Sequence, residues 1–381
     1  MRYLFENDEH AALREQVRRF AAREIAPHAA EWEEAEGFPR ALYAAAGAAG
    51  VLGIGYPEDV GGAGGDLSHL VVASEEMVLA GRSVGVTVGL GSHGIALPPI
   101  VRAGTASQRE RFVAPVLRGE KVSALAITEP GGGSDVASLR TRARRDGDHF
   151  VVDGAKTFIT SGARADLVTV AVRTGAEGYG GVSLLVVERG TPGFSVGREL
   201  KKMGWWASDT AELHFDGCRV PAENLVGEVD GGFVVIMQNF AVERVLLAAQ
   251  CVAIATLAYG ESVAYARDRV AFGKSLTGFQ VTRHKLAEMA TRIAAARALT
   301  GEVVERVRAN DPRTAGLAAM AKNVATDMCS FVCDAAVQVH GGYGYMRESL
   351  VERLYRDARL YPIGGGTREI MNEVISKTEG Y

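Results

Sequence analysis

The chain has 381 residues, a formal net charge of −4 and 47% hydrophobic residues. That balance excludes a surface built to neutralise nucleic-acid phosphates, which needs a basic face. The length allows two or three domains, and 46 glycines against 11 prolines fit glycine-rich loops in a folded chain rather than disorder.

Residues 1–121 read as a helical domain. Asn7 or Asp8 caps a helix with Leu13, Val17, Phe20 and Ala21 on its apolar face, ending before Pro27. Further helices are expected around Leu42–Gly50, Leu67–Leu79 and Ser107–Leu117, with a loop at Tyr56–Gly62. Met1-Arg2-Tyr3 leads directly into the first charged helix, so no secretory leader is read. No uninterrupted apolar run reaches the roughly 20 residues of a bilayer span, and a soluble, cytoplasmic protein is expected. Gly89-Leu90-Gly91-Ser92-His93-Gly94 imitates a dinucleotide fingerprint. That fingerprint works only between a strand and a helix, and Pro98-Pro99 would break such a helix, so it is rejected.

The character changes near residue 122. Ser123–Ile127 reads as a strand, followed by Thr128-Glu129-Pro130-Gly131-Gly132-Gly133-Ser134-Asp135. Three glycines let main-chain N–H groups approach a ligand, and Ser134 and Asp135 add short polar side chains. Leu139, Thr141 and Ala143 alternate with arginines, and Asp146-Gly147 turns the chain into Phe150–Val152. Strands at Leu167–Val172, Val182–Val187 and Glu212–Phe215 complete a central β-domain over 122–230.

Residues 231–381 return to helical periodicity over about 233–270, 279–309 and 313–339, with a short helix after Thr367. The order defines an α+β chain with a C-terminal four-helix bundle. Cys329 and Cys333 lie four apart on a helix without further metal ligands nearby, so the four scattered cysteines read as small buried hydrophobes and no metal site is expected. Glu243 and Arg244 are the only charges between Val234 and Gly260. Adjacent residues point about 100° apart on a helix, so each meets something else. One reading is a structural ion pair with another helix, through Arg283 or Lys285. The other is a catalytic carboxylate whose apolar surroundings raise its ionisation towards working pH.

The Thr128–Asp135 loop, Lys156–Gly162, Met203–Thr210, Val220-Pro221, Asn224–Gly227, Arg269–Lys274, Gln338–Gly344 and Arg356–Ala358 together resemble the acyl-CoA dehydrogenases over almost the whole chain. The resemblance implies an N-terminal helical domain, a central β-barrel-like domain and a C-terminal four-helix bundle. It implies non-covalent FAD, an acyl-CoA substrate, electron-transfer flavoprotein as acceptor, and a homotetramer built as a dimer of dimers. It places Leu125, Ile127 and Thr128 at the isoalloxazine edge, Phe158 packed on the flavin and Thr160 near N5. Ser134 falls at the thioester, counted with both cofactor and substrate, and Arg244 at a substrate position. Arg269, Phe272 and Gln280 fall at the pyrophosphate and adenine side, Gln338, Gly341 and Gly342 at an adenosine run shared with a neighbouring subunit, and Thr367 and Glu369 at further FAD contacts.

Two departures bear on function. Gly365 stands where many members carry a glutamate base, whereas Glu243-Arg244 matches the isovaleryl-type and long-chain-type arrangement with the base on the bundle helix. The resemblance therefore implies that Glu243 removes the α-proton while the β-hydrogen leaves as hydride. Gly365 keeps a main-chain N–H for the thioester carbonyl. Trp206 replaces an arginine common in relatives, and Ala241 replaces an aspartate, which alters CoA contacts. The product expected is a trans-2-enoyl-CoA from a branched-chain or long-chain acyl group. Alternatives are a flavin-dependent oxidase or monooxygenase on the same scaffold, and a non-catalytic binding module.

Overall fold

The computed structural model describes residues 2–381; Met1, which opens the leaderless reading, lies outside them. The first part of the chain forms α1 (Asp8–Glu24), α2 (Ala29–Glu34), α3 (Ala41–Ala48), α4 (Leu67–Gly81), α5 (Val84–Leu90), α6 (His93–Ala96), α7 (Pro98–Ala103), α8 (Ala106–Gln108) and α9 (Ala114–Leu117). Asn7 caps α1, its side chain accepting from the His10 N–H, and Asp66 caps α4. The decoy glycines fall on α5, the turn after it and α6, and Pro98 opens a new helix rather than ending a Rossmann one.

The middle holds β1 (Ser123–Ala126), β2 (Arg142–Asp146), β3 (His149–Thr160), β4 (Leu167–Arg173), β5 (Val182–Glu188), β6 (Phe194–Glu199), β7 (Thr210–Pro221) and β8 (Leu225–Val226). They make one sheet in the order β6-β7-β3-β2-β4-β5-β8, with β1 parallel to β4. The β2–β3 turn falls on Gly147-Asp148, one residue later than the sequence implies, because Asp146 pairs with His149. β6, unforeseen because its side chains are largely solvent-facing, pairs with β7.

β4 and β5 are buried along almost their whole length. Alternate residues serve two cores. Val168, Val170, Leu185 and Val187 join one with Phe150 and Leu213. Leu167, Ala171, Leu184 and Val186 join another with Leu97, Phe112 and Ile236 from the helices. The period-two pleat thus clamps the sheet against the helical layers.

The last part contains α10 (Gly232–Asp268), a hairpin of β9 (Val270–Ala271) and β10 (Lys274–Ser275), α11 (Gln280–Arg308), α12 (Thr314–His340), α13 (Leu350–Ala358) and α14 (Arg368–Glu379). α10, α11 and α12 pack together, α14 lies on α12, and α4 lies on α10. Among the described residues α10 is the single continuous helix long and apolar enough to cross a bilayer, a point that counting uninterrupted apolar runs misses. Its Val245, Ala248, Ala249, Val252 and Ile254 are instead buried in the largest core. All four cysteines are buried there or in the sheet.

Candidate active site

Glu243 lies about three turns into α10, half-buried, between fully buried neighbours such as Val245 and Ala248. Among the described residues it makes no hydrogen bond or ion pair. Arg283 donates to the Thr277 carbonyl instead, so the structural pair with Arg283 or Lys285 does not form. The loop after Tyr361 comes to meet Glu243: a Cβ built on Gly365 would stand 3.5 Å from Glu243 Oε1. The Gly365 N–H has no hydrogen-bond partner among the described residues.

That loop is pinned on every side. Tyr361 is buried, its hydroxyl donates to Gln250 Oε1 at 2.9 Å, and its ring meets Trp205 edge-on. Thr367 caps α14, its hydroxyl oxygen accepting from the Ile370 N–H. Between these anchors Gly365 and Gly366 take φ +66° and +100°, a region that glycine enters freely and other residues avoid. Arg244 Nε donates to the Gly365 carbonyl at 3.3 Å, and Lys322 Nζ to the Gly366 carbonyl at 2.5 Å. Arg244 thus turns away from Glu243, as the 100° offset requires, and its guanidinium also lies over Phe240. Burial pushes the Glu243 carboxyl up to about 7, against the pull of Arg244 and Lys322.

A second group lies on the sheet. Leu125 is on β1, Ile127 and Thr128 follow it, and the Thr157 N–H donates to the Thr128 carbonyl at 2.9 Å. Lys156 is fully buried; its Nζ donates to the Ile127 carbonyl and to Glu129 Oε1, both at 2.9 Å, while Glu129 also accepts from the Arg140 and Thr141 N–H groups. The lysine thereby ties the glycine loop to β3. The β3–β7 register slips between Lys156 and Ile159, and Phe158 sits in the slip at φ +58° and is 68% exposed. An aromatic residue is held in left-handed backbone, facing open space, only when its surroundings force it. Gly131 and Gly132 have no left-handed backbone, yet a Cβ on either would meet nothing. They leave an open face, with Ser134 exposed beside them. Thr160 ends β3, and neither its hydroxyl nor that of Thr128 has a partner among the described residues. Ile127 and Phe240 pack into one apolar cluster, which joins this loop to the helix of Glu243.

The remaining candidates gather elsewhere. Arg269, Gly341 and Gly342 line one open cleft of about 500 Å³ with Tyr265, His340 and Tyr343. Phe272 forms the tip of the β9–β10 hairpin at φ +52° and is 97% exposed. Gln280 opens α11, and Gln338 lies exposed on the last turn of α12. The 25 residue steps from Glu243 to Asp268 span about 38 Å at about 1.5 Å per step. The structure therefore keeps this group apart from the Glu243 pocket within one chain. Glu369 is exposed in the first turn of α14. Trp206 is stacked between Arg347 and Arg356, at 4.5 and 3.8 Å from its ring centre.

Sequence reasoning passed over Lys322 and the Glu129–Lys156 pair. Lys322 is the lone charge between Leu317 and Ala325, the same signal that picked out Glu243.

The site thus combines a carboxyl raised by burial, a main-chain N–H without a partner among the described residues and an exposed aromatic residue in left-handed backbone next to the strand residue that binds the glycine loop. Family models of the acyl-CoA dehydrogenase N-terminal, middle and C-terminal domains match residues 7–120, 124–218 and 230–379. The chain is 40% identical over 374 residues to the mitochondrial long-chain specific acyl-CoA dehydrogenase of Mus musculus, covering 97% of this chain and 86% of that one. It is 37% identical to the isobutyryl-CoA dehydrogenase of Bos taurus over 94% of this chain and 86% of that one. The crystal structure of a probable acyl CoA dehydrogenase from Mycobacterium abscessus superposes with a TM-score of 0.97 at 53% identity, covering 98% and 99% of the two chains. The chain belongs to the acyl-CoA dehydrogenase family and is an acyl-CoA dehydrogenase of the flavoprotein oxidoreductase class.

Proposed function

We propose that this enzyme oxidises the Cα–Cβ bond of a branched-chain or long-chain acyl-CoA to the trans-2-enoyl-CoA, with FAD as its flavin and electron-transfer flavoprotein as acceptor, in the cytoplasm. Glu243 is the base. The observation that carries this reading is its carboxylate, unpaired and raised to about 7, 3.5 Å from the point where Gly365 would bear a side chain. A carboxylate near working pH exists in the basic form at neutrality and still drives proton transfer.

The chain fits a flavin. Leu125, Ile127, Thr128 and Thr160 would hold the ring system, with free hydroxyls for its polar edge and Phe158 against its face. Ser134 and Arg244 would meet the thioester, and Thr367 and Glu369 supply further contacts. Bound there, FAD supplies the acceptor for the β-hydrogen and its electron pair. Glu243 takes the α-proton, and the Gly365 N–H donates to the thioester carbonyl as negative charge grows on it. One such donor is worth about 2.7–4 kcal/mol of transition-state stabilisation.

Arg269, Phe272, Gln280, Gln338, Gly341 and Gly342 would serve the nucleotide end of a second copy's FAD. Their separation along α10 supports this, as do Tyr343, exposed in the cleft, and the exposed Phe272, Val281 and Tyr345 on nearby stretches of sequence. A homotetramer, as a dimer of dimers, places them there.

Anaerobic titration of FAD-loaded protein with acyl-CoAs of graded length and branching tests the reading. Wild type loses flavin absorbance with its preferred substrate. Glu243→Gln retains FAD and keeps its colour. Full bleaching by the variant places the base elsewhere, and stoichiometric peroxide in air identifies an oxidase.

A further inference from the structure

We propose that Lys322 is a positioning residue for α-proton abstraction, clamping the Gly365–Gly366 backbone and setting the charge beside Glu243. The proposal rests on Glu243 being the base.

Lys322 is 1% exposed on α12, and its ammonium makes one hydrogen bond among the described residues, to the Gly366 carbonyl at 2.5 Å. Among the described residues no carboxylate pairs with it. A buried cation with one neutral acceptor is a poor stabilising device, since methionine would fill the same space without losing hydration. Its location accounts for the cost. A Cβ on Gly365 would lie 3.8 Å from Lys322 Cε and 3.5 Å from Glu243 Oε1, so both side chains face the same point. Arg244 and Lys322 hold the carbonyls of two successive glycines. The two peptide units that follow the Gly365 N–H are therefore held by their carbonyls, which restrains the turn without using that N–H.

The charges around this pair are few. Arg244, Cys251 and Glu243 face Lys322 from α10 and Arg368 from α14, while the Gly364–Gly366 loop carries none. Glu75 of α4 and Arg297 of α11 are bound to each other instead. Burial lowers the Lys322 ammonium to about 8, so its charge is present at neutrality and lost in mild alkali. Below that point it favours ionised Glu243 and the negative charge that grows on the thioester.

The test is the pH dependence of flavin reduction by acyl-CoA in the FAD-loaded enzyme, followed by stopped flow. Wild type should rise through pH about 7 as Glu243 ionises and fall above about 8 as Lys322 discharges. Lys322→Arg, charged at every accessible pH, should lose the alkaline limb and keep the acid one. Lys322→Met should move the acid limb upward by about one pH unit, a tenfold change in the ionisation constant, and lower the plateau about tenfold while FAD content and substrate Kd stay unchanged. Should Lys322→Met fail to fold, Lys322→Gln keeps a donor for Gly366 and should show the shifted acid limb. An unshifted limb in a folded, FAD-loaded neutral variant, or an alkaline limb that persists in Lys322→Arg, overturns the proposal. Glu243→Gln separates the two claims: if it is inactive while the neutral Lys322 variants are unshifted, the base assignment stands and this inference alone fails.

Discussion

Replacing Glu243 by glutamine should make the enzyme inactive and, above neutrality, more stable. Burial moves the carboxyl from its ordinary 4.5 to about 7. Between those values the folded chain holds a proton that the unfolded chain has released. Stability therefore falls as pH rises through this window, and the whole cost is carried above pH 7. At about 1.4 kcal/mol per pH unit the displacement corresponds to roughly 3 kcal/mol, which the partial solvent access of Glu243 reduces to about 2 kcal/mol. Glutamine has nearly the same shape and no charge to desolvate. With an unfolding entropy of about 2.1 cal/mol/K per residue over 381 residues, that gain raises Tm by roughly 2–3 °C. Scanning calorimetry of FAD-loaded wild type and Glu243→Gln checks it. The variant should melt higher at pH 8.5, with the difference shrinking below about 1 °C at pH 4.5. A variant that melts no higher at pH 8.5 refutes the reasoning, because the carboxylate would then be solvated or paired rather than strained by burial.

Gly365→Ala keeps the N–H but puts a Cβ at φ +66°, 2.6 Å from Leu247 Cδ1. Left-handed backbone alone costs alanine about 1–2 kcal/mol; Tm should fall by a few degrees, and Leu247→Ala in the same chain should recover only the part due to the clash. Lys156→Met leaves Glu129, whose side chain is 10% exposed, with only its two main-chain N–H donors, and breaking such a pair costs at most about 3–5 kcal/mol. The purified variant should lose FAD, which its absorbance reports, and an unchanged flavin-to-protein ratio would show that the pair does not hold the loop.

What local pattern alone could determine, it did. Three long helices were legible within a few residues, because apolar periodicity and the buried face of α10, α11 and α12 are the same fact seen twice. Glu243 stood out because a lone charge in an apolar helix is costly wherever the helix is buried. β6 and α13 were missed: one is an edge strand without clear alternation, the other a helix of nine residues, too short for its periodicity to stand out. The tertiary structure decided what Glu243 meets. Positions 243, 322 and 365 lie on separate elements, and only packing places a cation, a carboxylate and a free N–H around one point. Packing also decided that Arg244 serves a carbonyl rather than its neighbour. Ionisation near neutrality follows from that burial, a property of the surrounding helices and loop that no residue carries in its own sequence position.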